Sequence, residues 1–499
     1  MSEKRPISIT MPPPAMVAGS ASSSEVTLTE EKTIEKYQSR EIGSSETTRP
    51  NDMDLEAQTA QTKPKLFAST RYAILTIYRR LFTLVFLANV AVFVAVMTTE
   101  QKLLALVNAT AANLLACGLA RQPLVVNAIF VVVCSMPRSA PLPLRKIAAK
   151  VYHYGGVHSG CGVASLVWYV GFVGVLSHQY WATTPASAMI RLSAAPVTLA
   201  YIILVLLLAI VVVAHPTFRM KRHDYFELTH RFSGWLIVAL FLALLMVFAH
   251  EASQSMHKPL GNFLVTLPAF WFLVLTVISI IQPWLFLRKV AVRAEPLSTH
   301  ATRLHFDHTT TTFAKGIQLA KHPLRDWHSF ATFPDTPAGM DGPSSFSCLV
   351  SKAGDWTTNT IQQPPTHLWK RGVLTHGFAY AMRVFSRVIV VTTGSGIGPC
   401  LSFLGDKNRP ALRVLWQTRA PLKTYGDGVM EMVHRMDCAP IIMDTNQCGR
   451  IDMVPIILQQ IKYFDAEAVC VISNPVLTGR IVYELEARGI PAFGPIFDS

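Results

Sequence analysis

The eight cysteines of this chain, at 117, 134, 161, 348, 400, 438, 448 and 470, form no Cys-x-x-C pair and no Cys/His cluster with metal-ligand spacing. Their scatter leaves free thiols in a reducing compartment as the simplest reading. No apolar run follows Met1, so a cleavable signal peptide is not expected and the first membrane helix must itself direct targeting. Acidic residues are scarce, 31 against 45 Lys and Arg, for a net charge of +14. That excess does not imply nucleic acid, because the basic residues sit beside apolar segments, where the positive-inside rule accounts for them.

What is abundant is apolar surface. Hydrophobic residues make up 51% of 499 positions and the mean hydropathy is +0.33, too apolar for a soluble enzyme and long enough for a membrane part plus soluble domains. Residues 1–70 are rich in Ser, Thr, Pro and Glu and read as a disordered cytosolic tail. Six runs of spanning length follow within 71–289: Ala73–Met97, Leu103–Met136, Val157–Leu176, Ala195–Ala214, Ser233–Ala249 and Asn262–Leu287. The second is overlong and interrupted by Arg121 and Pro123, so it reads either as two half-helices or as one kinked span. Arg71, Arg79, Arg80, Arg138, Arg145, Lys146, Lys150, Arg219, Lys221, Arg222, Arg288 and Lys289 all fall on one side, which places both termini in the cytosol.

From about Val290 the composition becomes soluble. VAVRAEPL and TRLHFDH read as strands, and FSCLVSKAGDWTTNT (346–360) as a strand, a turn and a polar continuation, together a small β-barrel over 290–385. Over 386–499, strand-like RVLWQT, APIIMDT and AVCVIS alternate with helical DMVPIILQQIKYF and GRIVYELEARG, the pattern of a parallel α/β sheet. That sheet opens with VIVVTTGSGIGPC (388–400). A doubly buried strand runs there into Gly394-Ser395-Gly396-Ile-Gly398-Pro399, which suits a backbone that approaches a pyrophosphate and then starts a helix. The spacing is G-x-G-x-G-P, not the Rossmann G-x-G-x-x-G, and an ordinary strand-to-helix turn is the alternative.

Six spans, then WHSFATF (327–333), GDWT (354–357), TGSGIGP (393–399), GRID (449–452) and SNP (473–475), in that order, resemble the ferric-reductase/NADPH-oxidase superfamily from about Ala73 to Ser499. VYHYGGVHSG (151–160), LWQTR (415–419) and FGPIFDS (493–499) resemble most a fungal subfamily of transmembrane flavoproteins implicated in asexual development. The resemblance implies a six-helix transmembrane bundle followed by a ferredoxin-reductase-like module, an FAD-binding β-barrel plus an α/β domain that binds NADPH or NADH. It implies that His328-Ser329-Phe330-Ala331 holds the flavin. Ala331 lacks the hydroxyl expected there, and Thr332 is the candidate to replace it. Gly394, Gly396 and Gly398 match the dinucleotide loop, Gly449-Arg450 the G-R-P element, and Ser473-Asn474-Pro475 stands where C-G-P is usual. Phe493 or Phe497 is either the aromatic that covers the flavin or a core residue. Arg419 is placed to read a 2′-phosphate, or is a plain surface residue of a βα loop.

The resemblance also implies paired histidines thirteen or fourteen residues apart that hold two haems. Fourteen residues on from His158 and His230 stand Phe172 and Leu244. The chain offers His158/His178 and His230/His250 instead, twenty apart in each case (178 − 158, 250 − 230), about 30 Å along a helix and about 200° round it. One haem near each surface, with His153 or His158 opposite His230 inside and His178 opposite His250 outside, or interfacial histidines at helix ends, are the two readings, and the expectation is a chain without haem. The expected function is an NAD(P)H-dependent FAD oxidoreductase of the plasma membrane or an endomembrane, embedded in the lipid bilayer, with an unidentified small acceptor. A haem-bearing metalloreductase or superoxide-generating oxidase, and a scaffold with a vestigial flavin site, are the alternatives.

Overall fold

The structure is a computed structural model and describes residues 75–99, 103–181, 193–325, 327–342 and 344–496. The expected tail and Phe497 lie outside them.

Among the described residues, seven helices of eleven residues or more form the first part: α1 (Ile77–Thr99), α2 (Leu103–Leu119), α3 (Pro123–Val133), α4 (Gly155–Trp181), α5 (Ala194–Val213), α6 (His223–Ser255) and α7 (Pro268–Leu285). Five are long and apolar enough to cross a membrane, or six if α2 and α3, bent by 73° at their break, count as one span. The break has a local cause. Pro123 cannot continue the ladder of α2, and Gln122 caps α3 by accepting from Val125 N. α1 packs closely on α4 because Gly156 and Gly160 leave it room. A Cβ at Gly156 would lie 2.4 Å from the Tyr78 carbonyl, and one at Gly160 would lie 3.0 Å from Val85 Cβ.

One face of α3 is buried against the C-terminal part. Val126, Phe130 and Cys134 are buried in the same apolar cluster as Val390, Trp416 and Phe493 of the C-terminal part, so half of this apolar run packs against protein. Apolar composition alone does not distinguish lipid from a protein core. The segment after α3 is fixed to the C-terminal part by ion pairs. Arg145 is 6% exposed and grips both oxygens of Glu467 at 2.8 and 3.1 Å, while Glu467 also accepts from Ser386 N at 2.6 Å. Lys150 donates to Glu486 at 2.7 Å and to the Ala492 carbonyl at 2.9 Å, and its ammonium lies 4.4 Å from the Phe493 ring centroid. These cations look like topology signals in the sequence; here they also join two parts of the chain.

The second part is an antiparallel sheet of eight strands: β1 (Arg288–Ala291), β2 (Arg293–Pro296), β3 (Ala301–Phe306), β4 (Lys315–Ala320), β5 (His328–Pro334), β6 (Phe346–Ser351), β7 (His367–Lys370) and β8 (Thr375–His376). Its order is β1-β7-β4-β5-β6-β3-β2, with β8 on β4, around a core of Leu304, Phe306, Ile317, Phe346 and Val350. The polar continuation after β6 is a helix, α8 (Asp355–Gln362). The Thr357 hydroxyl accepts from Ala353 N and Gly354 N and so holds the first turn from one side.

One polar network is set into this sheet. Asp335 accepts from Arg303 at 2.7 Å and Ser345 at 2.7 Å, and also bonds Ser347. Burial by itself would raise the Asp335 carboxyl, but hydrogen bonds from His305, Ser347 and Ser345 and the Arg303 charge outweigh it and hold the group well below the usual range. A depressed folded-state value adds stability above the unfolded value near 3.8, and that stability is lost as pH falls through the folded one. Thermal midpoints are therefore expected to drop steeply below about pH 4, and Asp335→Asn should flatten that limb; an unchanged acid limb in the variant would refute the assignment.

The third part is a five-stranded all-parallel sheet of β9 (Arg387–Thr393), β10 (Ala411–Thr418), β11 (Ile441–Asp444), β12 (Ala468–Ile472) and β13 (Ala492–Phe493), in the order β11-β10-β9-β12-β13. Its helices are α9 (Ile397–Leu401), α10 (Pro421–Met436), α11 (Met453–Phe464) and α12 (Pro475–Ala487). β9 and β12 are buried almost throughout, as strands covered on both faces must be.

Candidate dinucleotide and flavin site

In chain order the parallel sheet reads 3-2-1-4-5, so the direction of winding reverses between β9 and β12. A crevice outside the carboxyl ends of the strands at such a point is where open α/β sheets take ligands. The GSGIGP loop occupies that point. Thr392 Oγ1 donates to the Ile472 carbonyl at 2.9 Å, the Thr393 and Ser473 hydroxyls are hydrogen-bonded to each other, and Trp416 Nε1 donates to the Gly394 carbonyl at 2.9 Å. Gly394 has φ +51°, and a Cβ at Gly396 would lie 2.5 Å from the Ile472 carbonyl. Glycine at 396 is thus a steric requirement of the crossing. A Cβ at Gly398 would lie 3.0 Å from Leu349 Cβ of the barrel, so the loop is wedged between the two sheets. Pro399 falls within α9, which has only five residues. Burial pushes the Cys400 thiol up to about 12, which makes it a packing residue and not a nucleophile at neutral pH.

Asp444 ties the loops beyond β10 and β11 together, since its Oδ1 accepts from Ala420 N and Asn446 N, each at 2.9 Å. Gln417 Nε2 adds a bond to the Ile451 carbonyl at 3.0 Å. Arg419 follows the end of β10, and Gly449, at φ +72°, precedes Arg450 in the loop after β11. Both arginines are exposed, and neither guanidinium has a partner among the described residues. Asn474 caps α12 by accepting from Leu477 N, with Pro475 in its first turn.

On the barrel, β5 carries HSFA. Phe330 stacks on Trp356 at 5.5 Å between centroids, and the His328 ring lies 4.6 Å from the same indole. Ser329 is exposed and Ala331 half-buried, opposite Gly316 in register. Thr332 does not take the role expected of it. It is 0% exposed, donates to the Lys315 carbonyl at 2.9 Å and bonds Thr311 at 2.6 Å, because strand alternation turns it to the opposite face from Ala331. Phe493 is a core residue, fully buried against Phe385 at 5.4 Å. The residue that the sequence reading left without a role is Trp356, whose position four residues after Lys352 looked like part of a turn. Its Nε1 and His376 Nδ1 are buried without a partner among the described residues. His376 is lowered to about 4 by burial and by Lys315, hence neutral at pH 7.

The four histidines divide. His158 and His230 face each other with ring centroids 6.3 Å apart, and His158 Nδ1 is 2.9 Å from the Cys117 carbonyl. His178 and His250 are exposed, and no ring contact joins them. Phe172 and Leu244 line an apolar cavity with Tyr169, Phe241 and Phe248. Among the described residues no group of three or more His, Cys, Asp or Glu is arranged to hold a metal ion.

A barrel-like antiparallel sheet joined to a parallel sheet with a glycine loop at its switch point defines the class: a two-domain module of the flavin- and dinucleotide-binding type. Residues 378–499 match a family model described as adenylate-forming reductase 03009, C-terminal domain. The chain is 40% identical over 447 residues to adenylate-forming reductase 03009 of Coprinopsis cinerea and 39% identical over 445 residues to adenylate-forming reductase 06235 of the same organism. In both cases 88% of this chain is covered but 42% of the relative, so the chain spans less than half the length of the relatives it matches. Among solved structures it is similar to a flavohemoglobin from Malassezia yamatoensis with bound FAD and heme (13% identity, TM-score 0.37, 78% of this chain and 98% of that one). It is also similar to a ferredoxin NADP+ reductase from Neisseria gonorrhoeae with bound FAD and NADP (10% identity, TM-score 0.33, 42% and 98%). The fold description rests on the strand order above, not on these likenesses.

Proposed function

We propose that the chain is a membrane-bound, NADPH-dependent flavoprotein oxidoreductase that takes electrons from the nucleotide on the cytosolic side and passes them to a small acceptor. The observation that carries this reading is the glycine cradle at the switch point of the parallel sheet, wedged against the barrel. Gly394, Gly396 and Gly398 would admit the pyrophosphate of the nucleotide, and the Thr393–Ser473 pair would face its nicotinamide end. Phe330, backed by Trp356, would pack on an isoalloxazine, with His328 and Ser329 beside it. Bound FAD supplies the conversion from two-electron to one-electron chemistry. The residues' own work is to bind, align and exclude water between two stacked rings. The apolar helices and the one-sided Lys/Arg distribution support a multi-pass protein of the plasma membrane or an endomembrane with cytosolic termini. The relatives' name pairs adenylate formation with reduction, and the part this chain spans would belong to the reducing half.

Arg419 and Arg450 favour NADPH over NADH, since two unpartnered guanidinium groups beside the cradle suit a 2′-phosphate. Arg419→Ala should weaken NADPH binding about 10- to 100-fold, the loss of one charge-assisted contact, and leave NADH unchanged. Titration of both nucleotides against wild type and variant reads this directly; equal losses for the two would refute the assignment.

A second reading is favoured by His158 and His230. Their rings lie 6.3 Å apart between centroids, and the pair would hold a single haem iron near the amino ends of α4 and α6, with the Cys117 carbonyl orienting His158. The second haem of the resembled enzymes has no ligands at Phe172 and Leu244. A Soret band lost in His158→Ala would establish this reading, and its absence from the wild type would remove it.

A further inference from the structure

Where α7 meets the barrel, four large side chains form one cluster. Trp235 of α6 meets Trp284 of α7 edge to face at 5.4 Å between centroids, and the Arg371 guanidinium lies 5.0 Å from Trp284 and 4.6 Å from Trp327, two indoles that stand at right angles to each other. Trp235 also lines the end of a groove between α6 and α7 whose other walls include Val238, Leu242, Val277 and Ile281. Every lining residue of that groove is apolar, and beside it Leu236, Leu275, Ile278 and Leu285 are exposed. The groove therefore ends on Trp235, which leads through Trp284 to a cation that contacts two indoles.

That cation is under-compensated. Arg371 Nε donates to Gln318 Oε1 at 2.8 Å, and its two Nη groups have no partner among the described residues. The charge acting on it is that of Arg231, and the charge acting on neighbouring Lys370 is that of Arg288. Burial first, and then Arg231, bring Arg371 down to about 10. Arg231 itself pairs with Glu227 and donates to the Leu324 carbonyl at 3.0 Å. Like charges gathered at the foot of an apolar groove are a receptor for something anionic at one end and hydrocarbon at the other.

We propose that this groove and the Trp–Arg cluster form a site for one anionic glycerophospholipid, with an acyl chain between α6 and α7 and the acidic headgroup at Arg371. The proposal rests on the membrane reading above. Tryptophan and arginine at the edge of an apolar layer suit the headgroup depth, and an anionic lipid favours the cytosolic leaflet that the positive loops mark. The site would fix the barrel against the membrane, because Arg371 and Trp327 belong to the barrel side and Trp235 and Trp284 to the helices.

The test uses the full chain purified in dodecyl maltoside, with phosphatidylserine or phosphatidylcholine of the same acyl chains added to the micelles. A ligand that binds only the folded state raises the thermal midpoint. The expected result is a rise of several degrees with phosphatidylserine over phosphatidylcholine, absent in Arg371→Gln and also absent in Val277→Trp, which fills the groove while leaving Arg371 in place. Inorganic phosphate added to phosphatidylcholine micelles should give no rise. Equal midpoints in the two lipids, or a rise with phosphate as large as with phosphatidylserine, would overturn the proposal. A chain that stays monodisperse without detergent would instead overturn the membrane reading on which it stands.

Discussion

Gly396→Ala is expected to lose nucleotide affinity by about 10- to 100-fold while keeping its flavin. The added methyl would sit 2.5 Å from the Ile472 carbonyl and 2.6 Å from Thr392 Oγ1. Neither can retreat, since the hydroxyl and carbonyl are bonded to each other at 2.9 Å in the middle of the parallel sheet. Overpacking of this kind costs about 1–3 kcal/mol, and here the loop is the softer element, so the cost appears as a displaced cradle and lost binding. The face of β5 proposed to hold the flavin is on the other sheet and is expected to keep its geometry. Titration of NADPH against the flavin absorbance of the variant measures the effect; wild-type affinity would show that the loop does not touch the nucleotide.

Arg145→Ala is expected to destabilise the folded chain by about 3 kcal/mol or more. Removing one partner of a buried, bidentate pair leaves an uncompensated carboxylate, and such deletions cost about 3–5 kcal/mol. Glu467 keeps 23% of its side chain exposed and retains the Ser386 N–H, which places the expectation at the low end. Arg145→Met combined with Glu467→Met should recover most of the loss, because no charge is then left buried. Thermal or denaturant unfolding of the single and double variants decides it. Since Glu467 and Ser386 sit at the amino ends of β12 and β9, whose other ends carry the cradle, the same variants report whether the helical part steadies the nucleotide domain.

The parallel sheet was legible in the sequence because its strands are continuous apolar runs, punctuated by turn residues and separated by helices of clear periodicity. The glycine loop was legible for the same reason, standing where such a run stops. Two kinds of feature were hidden. The Thr and Asn of GDWTTNT have poor helix propensity, so the sequence marks only a turn and a polar continuation where α8 forms, and nothing in it singles out Trp356 as the support of Phe330. The other kind was masked by a sufficient explanation. Val126 and Phe130 read as lipid-facing because apolar runs usually are, and Arg145 and Lys150 read as topology signals because cytosolic loops are usually basic. Burial inside another domain leaves no mark on such a pattern. The histidines lie between: the spacing sets His158 opposite His230, whose rings the fold brings to 6.3 Å between centroids, and His178 opposite His250, which no ring contact joins.

The central claim is that this chain holds a flavin which NADPH reduces. The most direct measurement is the visible spectrum of the detergent-purified protein, first oxidised and then after NADPH is added under argon. The account predicts oxidised flavin bands that bleach on addition, faster with NADPH than with NADH. A preparation that binds no flavin, or a bound flavin that neither nucleotide reduces, would contradict it.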